Sequence, residues 1–347
     1  MEFSKIEFFE RKQRIIHPKT ILLGPPKAGK SYLIFDYLTN FESQDYLYID
    51  FNDYRNNIKE INISLEDFIK ENKIKVLILE NFLFNFELPT CDSIIITTQH
   101  NKNIFGFKTL TIMPLDFEEF LLHDHKHQNT TNAFNYFLKF GNLPEIINIE
   151  EHKKIKRLQE IIGLYSKDSN QVEILKLLFS SIDEKKSLYQ LYSIMKKSTK
   201  ISKDKFYETC KIFMNNKIIY FIEKFNQPKA VKKIYSYNHS FISAISHNKK
   251  FKNEFTNLIF LELKNKEEEI YYLDNIDFFL PKEKIVILAL PFFNKLLINS
   301  IKKRILSSLN ELKIKNVFII TVGNSETFKI DNIEINVLPF YEWAVLN

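Results

Sequence analysis

The stretch Gly24-Pro25-Pro26-Lys27-Ala28-Gly29-Lys30-Ser31 has the spacing G-x-x-x-x-G-K-[ST]. That spacing suits phosphate chemistry. A short loop can turn its backbone N–H groups inward around phosphate oxygens. Gly29 can take backbone angles that a side chain would forbid. A helix starting at Lys30 adds partial positive charge at its N-terminus. Lys30 then reaches the β and γ phosphates of a nucleotide, and the Ser31 hydroxyl can ligate Mg²⁺. Gly24 to Ser31, with Tyr32 behind them, are therefore the expected nucleotide-binding residues, with ATP and Mg²⁺ as cofactors.

Such a loop needs acids at the ends of neighbouring strands. "DYLYIDFND" reads as a strand, Tyr46 to Phe51, delivering Asp50 and Asp53. "KIKVLILENF" reads as another, Lys75 to Leu79, followed by Glu80. Apolar residues and then an acid form the Mg²⁺-organising pattern of P-loop ATPases. Ser31, Glu80 and Asp50 are the expected metal-side residues, and Glu80 with Lys30 the expected catalytic pair. The residue after Glu80 is Asn81, whose amide cannot accept a proton, so a general base is missing at that place. A third strand, "DSIIITTQH", ends in Thr97 and Thr98, candidates for sensing the γ-phosphate.

The elements needed to hold these residues are visible as patterns. "KTILL" is a buried strand from Thr20 to Leu23, and "KSYLIFDYL" is a helix beginning near Lys30. With 347 residues the chain is long enough for two or three domains. A charged fraction of 27% and an apolar fraction of 45% are those of a soluble globular protein. No long uncharged apolar run suggests a membrane span, and the charged N-terminus lacks signal-peptide features. Cys91 and Cys210 form neither a metal spacing nor a disulfide framework, and a cytoplasmic protein is expected. The net charge of +6 permits an acidic partner without requiring one.

At this point the chain resembles a known group, the prokaryotic AAA-type ATPases related to the archaeal ATPases. "GPPKAGKS" and "YIDFND" look like that group's first ATPase motifs. "LTIMPLDFEEFL", from Leu110 to Leu121, is similar to its L-x-PL-[SD]-F-x-EF segment. "YFLKFGNLPEII", "KKIYSYNHSFISAI", "TNLIFLEL" and "NIDFFL" resemble its later motifs. The resemblance implies a P-loop domain with a parallel sheet, a helical lid, a winged helix and a C-terminal α/β domain like a degenerate PD-(D/E)xK nuclease. Two departures bear on hydrolysis. Glu80-Asn81 stands where the group has Asp-Glu. Gly106-Phe107, with Lys108 beside it, stands where the group often has Gly-Arg, and Lys cannot copy the donor fork of Arg.

The expected division is 1–125 for the P-loop core, 126–168 for a helical connector, 169–247 for the winged helix and 248–347 for the nuclease-like domain. In the winged helix, Ser169 and Ser202 read as helix caps. Lys196, Lys197, Lys200, Lys203, Lys205 and Lys211 gather around its second and third helices, which would suit phosphate contacts on DNA. Winged helices also dock proteins, so a protein partner stands beside DNA. "HDHKHQ", His123 to Gln128, has alternating histidines but reads as an exposed loop or frayed helix end rather than a metal tract. In the last domain, Asp277 sits at the place of a metal-binding Asp. Thr256 replaces the first Glu, although Glu254 and Glu262 are near, and "VILALP" carries no Glu-x-Lys. A structural or docking domain is expected there, not a nuclease. The functional expectation is an ATP-binding protein, a slow or weak ATPase acting as a nucleotide-dependent switch. The alternatives are a DNA-binding regulator with a structural nucleotide, and a nuclease.

Overall fold

Strand β1, Lys19–Leu23, is an apolar run flanked on both sides by other strands, and its last four residues are buried. It belongs to a computed structural model that describes residues 10–84, 86–98, 102–166, 168–248, 250–266, 269–330 and 333–346. The first residues of the charged N-terminus lie outside these. The chain divides into two compact units, one chiefly of residues up to Leu115 and the other chiefly of residues from Asp116 onward.

In the first unit, β1 is followed by helix α1, Lys30–Leu38, strand β2, Tyr46–Asp50, and helix α2, Ile58–Asn72. Strands β3, Val76–Glu80, β4, Ser93–Thr97, and β5, Lys108–Thr111, complete a five-stranded sheet. Its order is β2-β3-β4-β1-β5 and every pairing is parallel. Parallel strands are buried on both faces, which is why they read as unbroken apolar runs. Alternation still sorts their side chains. Leu22, Tyr46, Tyr48, Val76, Ile78 and Ile95 pack with Leu33, Ile34 and Leu38 of α1. Ile21, Ile49, Leu77, Leu79, Ile94 and Ile96 pack with Leu65 and Ile69 of α2. Neither α2 nor β5 is expected from the motifs. β5, "KTLT", has no apolar run and is a strand because β1 offers it a free edge.

The second unit begins with α3, Phe117–His123, closed by a capping box between Asp116 and Glu119. Helices α4, Thr130–Phe140, α5, Pro144–Ile147, and α6, Glu151–Gly163, follow. Next come α7, Ser169–Ser180, α8, Leu188–Met195, and α9, Lys203–Asn215, then an antiparallel pair, β6, Ile219–Ile222, and β7, Lys233–Ser236. Ser202 accepts from Lys205 N at the start of α9, as expected of a cap. The cap of α7 is Asp168 and not Ser169. Asp168 is extended and its carboxylate accepts from Gln171 N at 2.9 Å, so Ser169 is already helical.

After α10, Phe241–Ile245, and α11, Phe251–Asn265, the chain builds a six-stranded mixed sheet. Its strands are β8, Tyr271–Leu273, β9, Ile276–Leu280, β10, Ile285–Ala289, β11, Asn316–Thr321, β12, Glu326–Ile330, and β13, Ile333–Pro339. The order is β12-β13-β11-β10-β9-β8, with β10, β11 and β13 mutually parallel and the outer strands antiparallel. Helix α12, Ile298–Leu312, covers it through Ile301, Ile305 and Leu309, and α13, Phe340–Leu346, ends the described chain. Strand β12, which sequence patterning passes over, is polar on alternate positions and holds its place by hairpin pairing with β13.

Candidate functional site

The Gly24–Ser31 segment leaves the carboxyl end of β1 and enters α1, so it lies at the sheet edge where open α/β sheets bind ligands. Gly29 caps α1 in the left-handed region, with φ 98°. Gly24 has φ 148°, and a Cβ placed on it would stand 2.1 Å from the Ile112 carbonyl oxygen. The first glycine is therefore required by the close passage of the chain beyond β5. Pro25 and Pro26 offer no N–H. The free donors of this turn are on the residues entering α1, whose first amides have no intrahelical acceptor. Arg11 ties the loop down, donating to Ala28 O at 2.9 Å and to Met113 O at 2.7 Å. A cavity of about 400 Å³ runs along α1, lined by Arg11, Arg14, Ile15, Leu33, Asp36 and Tyr37 among others, but by no residue of the loop. Tyr32 is exposed, with its ring 6.2 Å from that of Phe35.

Lys30 folds back over the loop and donates to Gly24 O at 3.0 Å and Pro25 O at 2.9 Å. Burial lowers its pKa to about 8, partly opposed by the Glu80 carboxylate. The Ser31 hydroxyl donates to Glu80 Oε1. Burial pushes the Glu80 carboxyl up, against the Ser31 hydrogen bond and the Lys30 charge. Sheet order explains this meeting. β4 lies between β1 and β3, so the side chain on α1 must reach across it to Glu80.

Alternation places the remaining polar residues. Tyr48, Ile78 and Ile95 face α1, so Asp50, Glu80 and Thr97, two positions on, share that face at the carboxyl edge. They form one row across β2, β3 and β4. Asp50 and Glu80 are register partners. Asn81 has φ 59°, which ends β3 and turns its amide along the edge. Asn81 Nδ2 donates to Asp50 Oδ1 at 2.8 Å, and Thr97 Oγ1 accepts from Asn81 N at 2.9 Å. Asp53 is bound by Arg55, with Nη2 to Oδ2 at 2.5 Å, and that hydrogen bonding holds its carboxyl down at about 2. Thr98 spends its hydroxyl on Phe82 O at 2.9 Å, so of the two threonines Thr97 is the one in the row. Lys108 stands at the other end of the sheet. It pairs in register with Thr20 near the start of β1, and its ammonium lies 2.9 Å from His17 Nε2.

The serine hydroxyl and the carboxylate of Glu80 are hard oxygen donors already in contact. They fit a Mg²⁺ whose other ligands come from phosphate and water. Lys30 makes a pH test available. Its ordinary pKa is 10.5, so near pH 8 the loop loses a charge that a phosphate would require. Through Lys30 alone, the affinity of the loop for a phosphate-bearing ligand is expected to be about tenfold weaker at pH 9 than at pH 7, by linkage. The empty protein should gain stability as pH rises from 8 to 10.5, because the penalised charge is then absent from the folded state only. Calorimetric titration at pH 7, 8 and 9 measures the first effect.

The other expected residues are placed differently. Asp277 accepts from Ala289 N at 2.9 Å and faces Lys233 Nζ at 3.3 Å. Lys233 also donates to Asp183 at 2.8 Å, and Tyr235 OH donates to the same oxygen at 3.0 Å. Burial works against the Lys233 charge, but the two carboxylates outweigh it and raise its pKa. An ammonium thus stands against Asp277. Glu254 is bonded by Ser243, Glu262 accepts from Phe117 N, and Thr256 donates to Lys252 O within its helix. His127 pairs with Asp124 at 2.7 Å, and among the described residues no three His, Cys, Asp or Glu side chains gather as a metal site. Lys196, Lys197, Lys200, Lys203, Lys205 and Lys211 are all exposed. Of them, Lys205 pairs with Asp168, and Lys203 lies 5.6 Å from the rings of Tyr189 and Tyr207.

No protein-family model matches the chain. It is 25% identical to an uncharacterized protein of Methanocaldococcus jannaschii, over 94% of this chain and 88% of that one. Among solved structures it is similar to a Walker-type ATPase of Pyrococcus abyssi, with a TM-score of 0.42 and 12% identity, covering 66% of this chain and 91% of that one. Among the described residues no helix is long and apolar enough to cross a membrane.

Proposed function

We propose that this protein binds ATP with Mg²⁺ in the Gly24–Ser31 loop and hydrolyses it slowly, as a nucleotide-dependent switch. The observation that carries the reading is the contact of Ser31 with Glu80 beside a half-buried Lys30 folded over the loop, at the carboxyl edge of an all-parallel sheet. On binding, Lys30 exchanges two carbonyl contacts for phosphate oxygens. The amides entering α1 hold the phosphates, and Ser31 and Glu80 hold the metal, which when bound would screen phosphate charge. Thr97 lies in the same row and is the sensor candidate. Slow turnover follows from two features of the chain. Residue 81 cannot take a proton, so a base must come from another strand, and Lys108 sits at the sheet edge away from the loop.

A second reading has its own support. Three helices, α7 to α9, precede the β6–β7 pair, the order of a winged helix, and the lysines around α8 and α9 are exposed. That favours contact with an acidic partner, DNA or protein, alongside the nucleotide site. For the C-terminal sheet, the Lys233 ammonium against Asp277 favours a structural role over metal-dependent cleavage. Melting the protein against rising ATP-Mg²⁺ tests the main reading. A rise in Tm that saturates is expected, and none at millimolar ATP-Mg²⁺ would remove it.

A further inference from the structure

The nucleotide reading leaves one role unfilled, because the residue after the metal-side acid is an amide. We propose that Asp50, on the neighbouring strand, takes that role: its carboxylate holds and deprotonates the water that attacks the γ-phosphate, and Asn81 fixes its orientation. The inference rests on the nucleotide reading.

Three observations carry it. First, Asp50 and Glu80 are register partners whose side chains leave the same face of the sheet, the face of α1 and Ser31. An acid at the end of β2 is thus one strand from the acid that touches the phosphate-loop serine. Second, Asp50 is oriented but not used up. Its Oδ1 accepts from Asn81 Nδ2 at 2.8 Å and from Asn52 N at 2.9 Å, while Oδ2 has no hydrogen-bond partner among the described residues. Third, its neighbour Asp53 is bound by Arg55, and Glu80 is bound by Ser31. Asp53 is thus fully engaged and Glu80 is committed to the serine on the metal side. Among the described residues, that leaves Asp50 as the acid of this edge that has an oxygen to spare and no contact with the phosphate loop.

Asn81 then has a defined part. Its backbone N–H is held by Thr97 Oγ1, and its left-handed backbone turns the side-chain amide towards Asp50. An amide can only donate through that nitrogen, so it fixes one carboxylate oxygen and leaves the other as acceptor. Asn81 is a positioning residue, and Asp50 the catalytic one. In the step, the water oxygen forms a bond to the γ-phosphorus as its proton passes to Asp50 Oδ2. The bond from the γ-phosphorus to the bridging oxygen breaks, and its electron pair stays on ADP. The proton then leaves Asp50 with the phosphate product.

The test compares wild type, Asp50→Asn and Asp50→Glu in the full chain, by ATP-Mg²⁺ stabilisation and by steady-state turnover. Asp50→Asn is expected to keep the ATP-induced Tm rise and a similar KM, and to lose about 10²-fold in kcat. Asp50→Glu should recover part of that loss. ADP with aluminium fluoride, which mimics the transferring phosphoryl group, should stabilise wild type more than ADP does, and Asp50→Asn no more than ADP does. Turnover of Asp50→Asn within about threefold of wild type would overturn the proposal. So would joint loss of turnover and ATP stabilisation, which would assign Asp50 to binding. A wild type that ATP stabilises but does not turn over would overturn it too, leaving the binding reading intact. A wild type that ATP does not stabilise would remove both.

Discussion

Lys30→Ala is expected to leave the protein folded and to abolish the rise in Tm expected of wild type with ATP-Mg²⁺. A ligand at a hundred times its Kd stabilises by about 2.7 kcal/mol. For a unit of this size that is a shift on the order of 10 °C. Of the two lysines in the loop, Lys30 is the one whose ammonium folds back over it, held by the Gly24 and Pro25 carbonyls. Without it the terminal phosphates lose the one ammonium that already folds over the loop, and the backbone amides and the metal must meet their charge. The empty variant should not be much less stable, because removing Lys30 also removes a charge that burial penalises. Its cost is the donor lost by the Gly24 and Pro25 carbonyls, about 1 kcal/mol. Lys59→Ala, exposed on α2, serves as a control and should shift like wild type. An unchanged shift in Lys30→Ala would place the nucleotide elsewhere.

The second large effect concerns the C-terminal unit. Lys233→Met is expected to destabilise it by about 3–5 kcal/mol. The side chains of Lys233, Asp183 and Asp277 are each 8% exposed. Removing the ammonium leaves two carboxylates facing one another out of water, and breaking such a pair from one side costs more than the pair contributes. The fall in Tm should be roughly 10 °C for a unit of this length. Replacing all three by Met, Asn and Asn should recover most of it, since no unpaired charge remains. Added Mg²⁺ should not stabilise wild type through Asp277, because the ammonium stands there. A Lys233→Met protein that melts with wild type would show that the triad is not structural.

Much of the first unit was legible because its signals are local. Glycine, lysine and serine at fixed offsets define the loop within eight consecutive residues, and each apolar run defines a strand by itself. α2 and β5 were not legible from motifs, and β5 depends on the free edge of β1. The C-terminal acid at Asp277 was legible as a residue but not as an environment. Its partner Lys233 is 44 residues away and reads as one more lysine in a lysine-rich chain. Asp168 shows the smaller kind of miss, where either of two adjacent residues could cap and only the backbone angles choose.

The sequence by itself determined that Lys30 and Ser31 sit at a strand-to-helix turn, that Asp50 and Glu80 end strands, and that residue 81 cannot act as a base. Only the tertiary structure decided that β4 separates β1 from β3, that Asp50, Glu80 and Thr97 form one row over α1, and that Asn81 binds Asp50. The reason is physical. A turn is set by the conformational limits of neighbouring residues, whereas a row across parallel strands is set by order and register. Those depend on how distant apolar runs pack against α1 and α2.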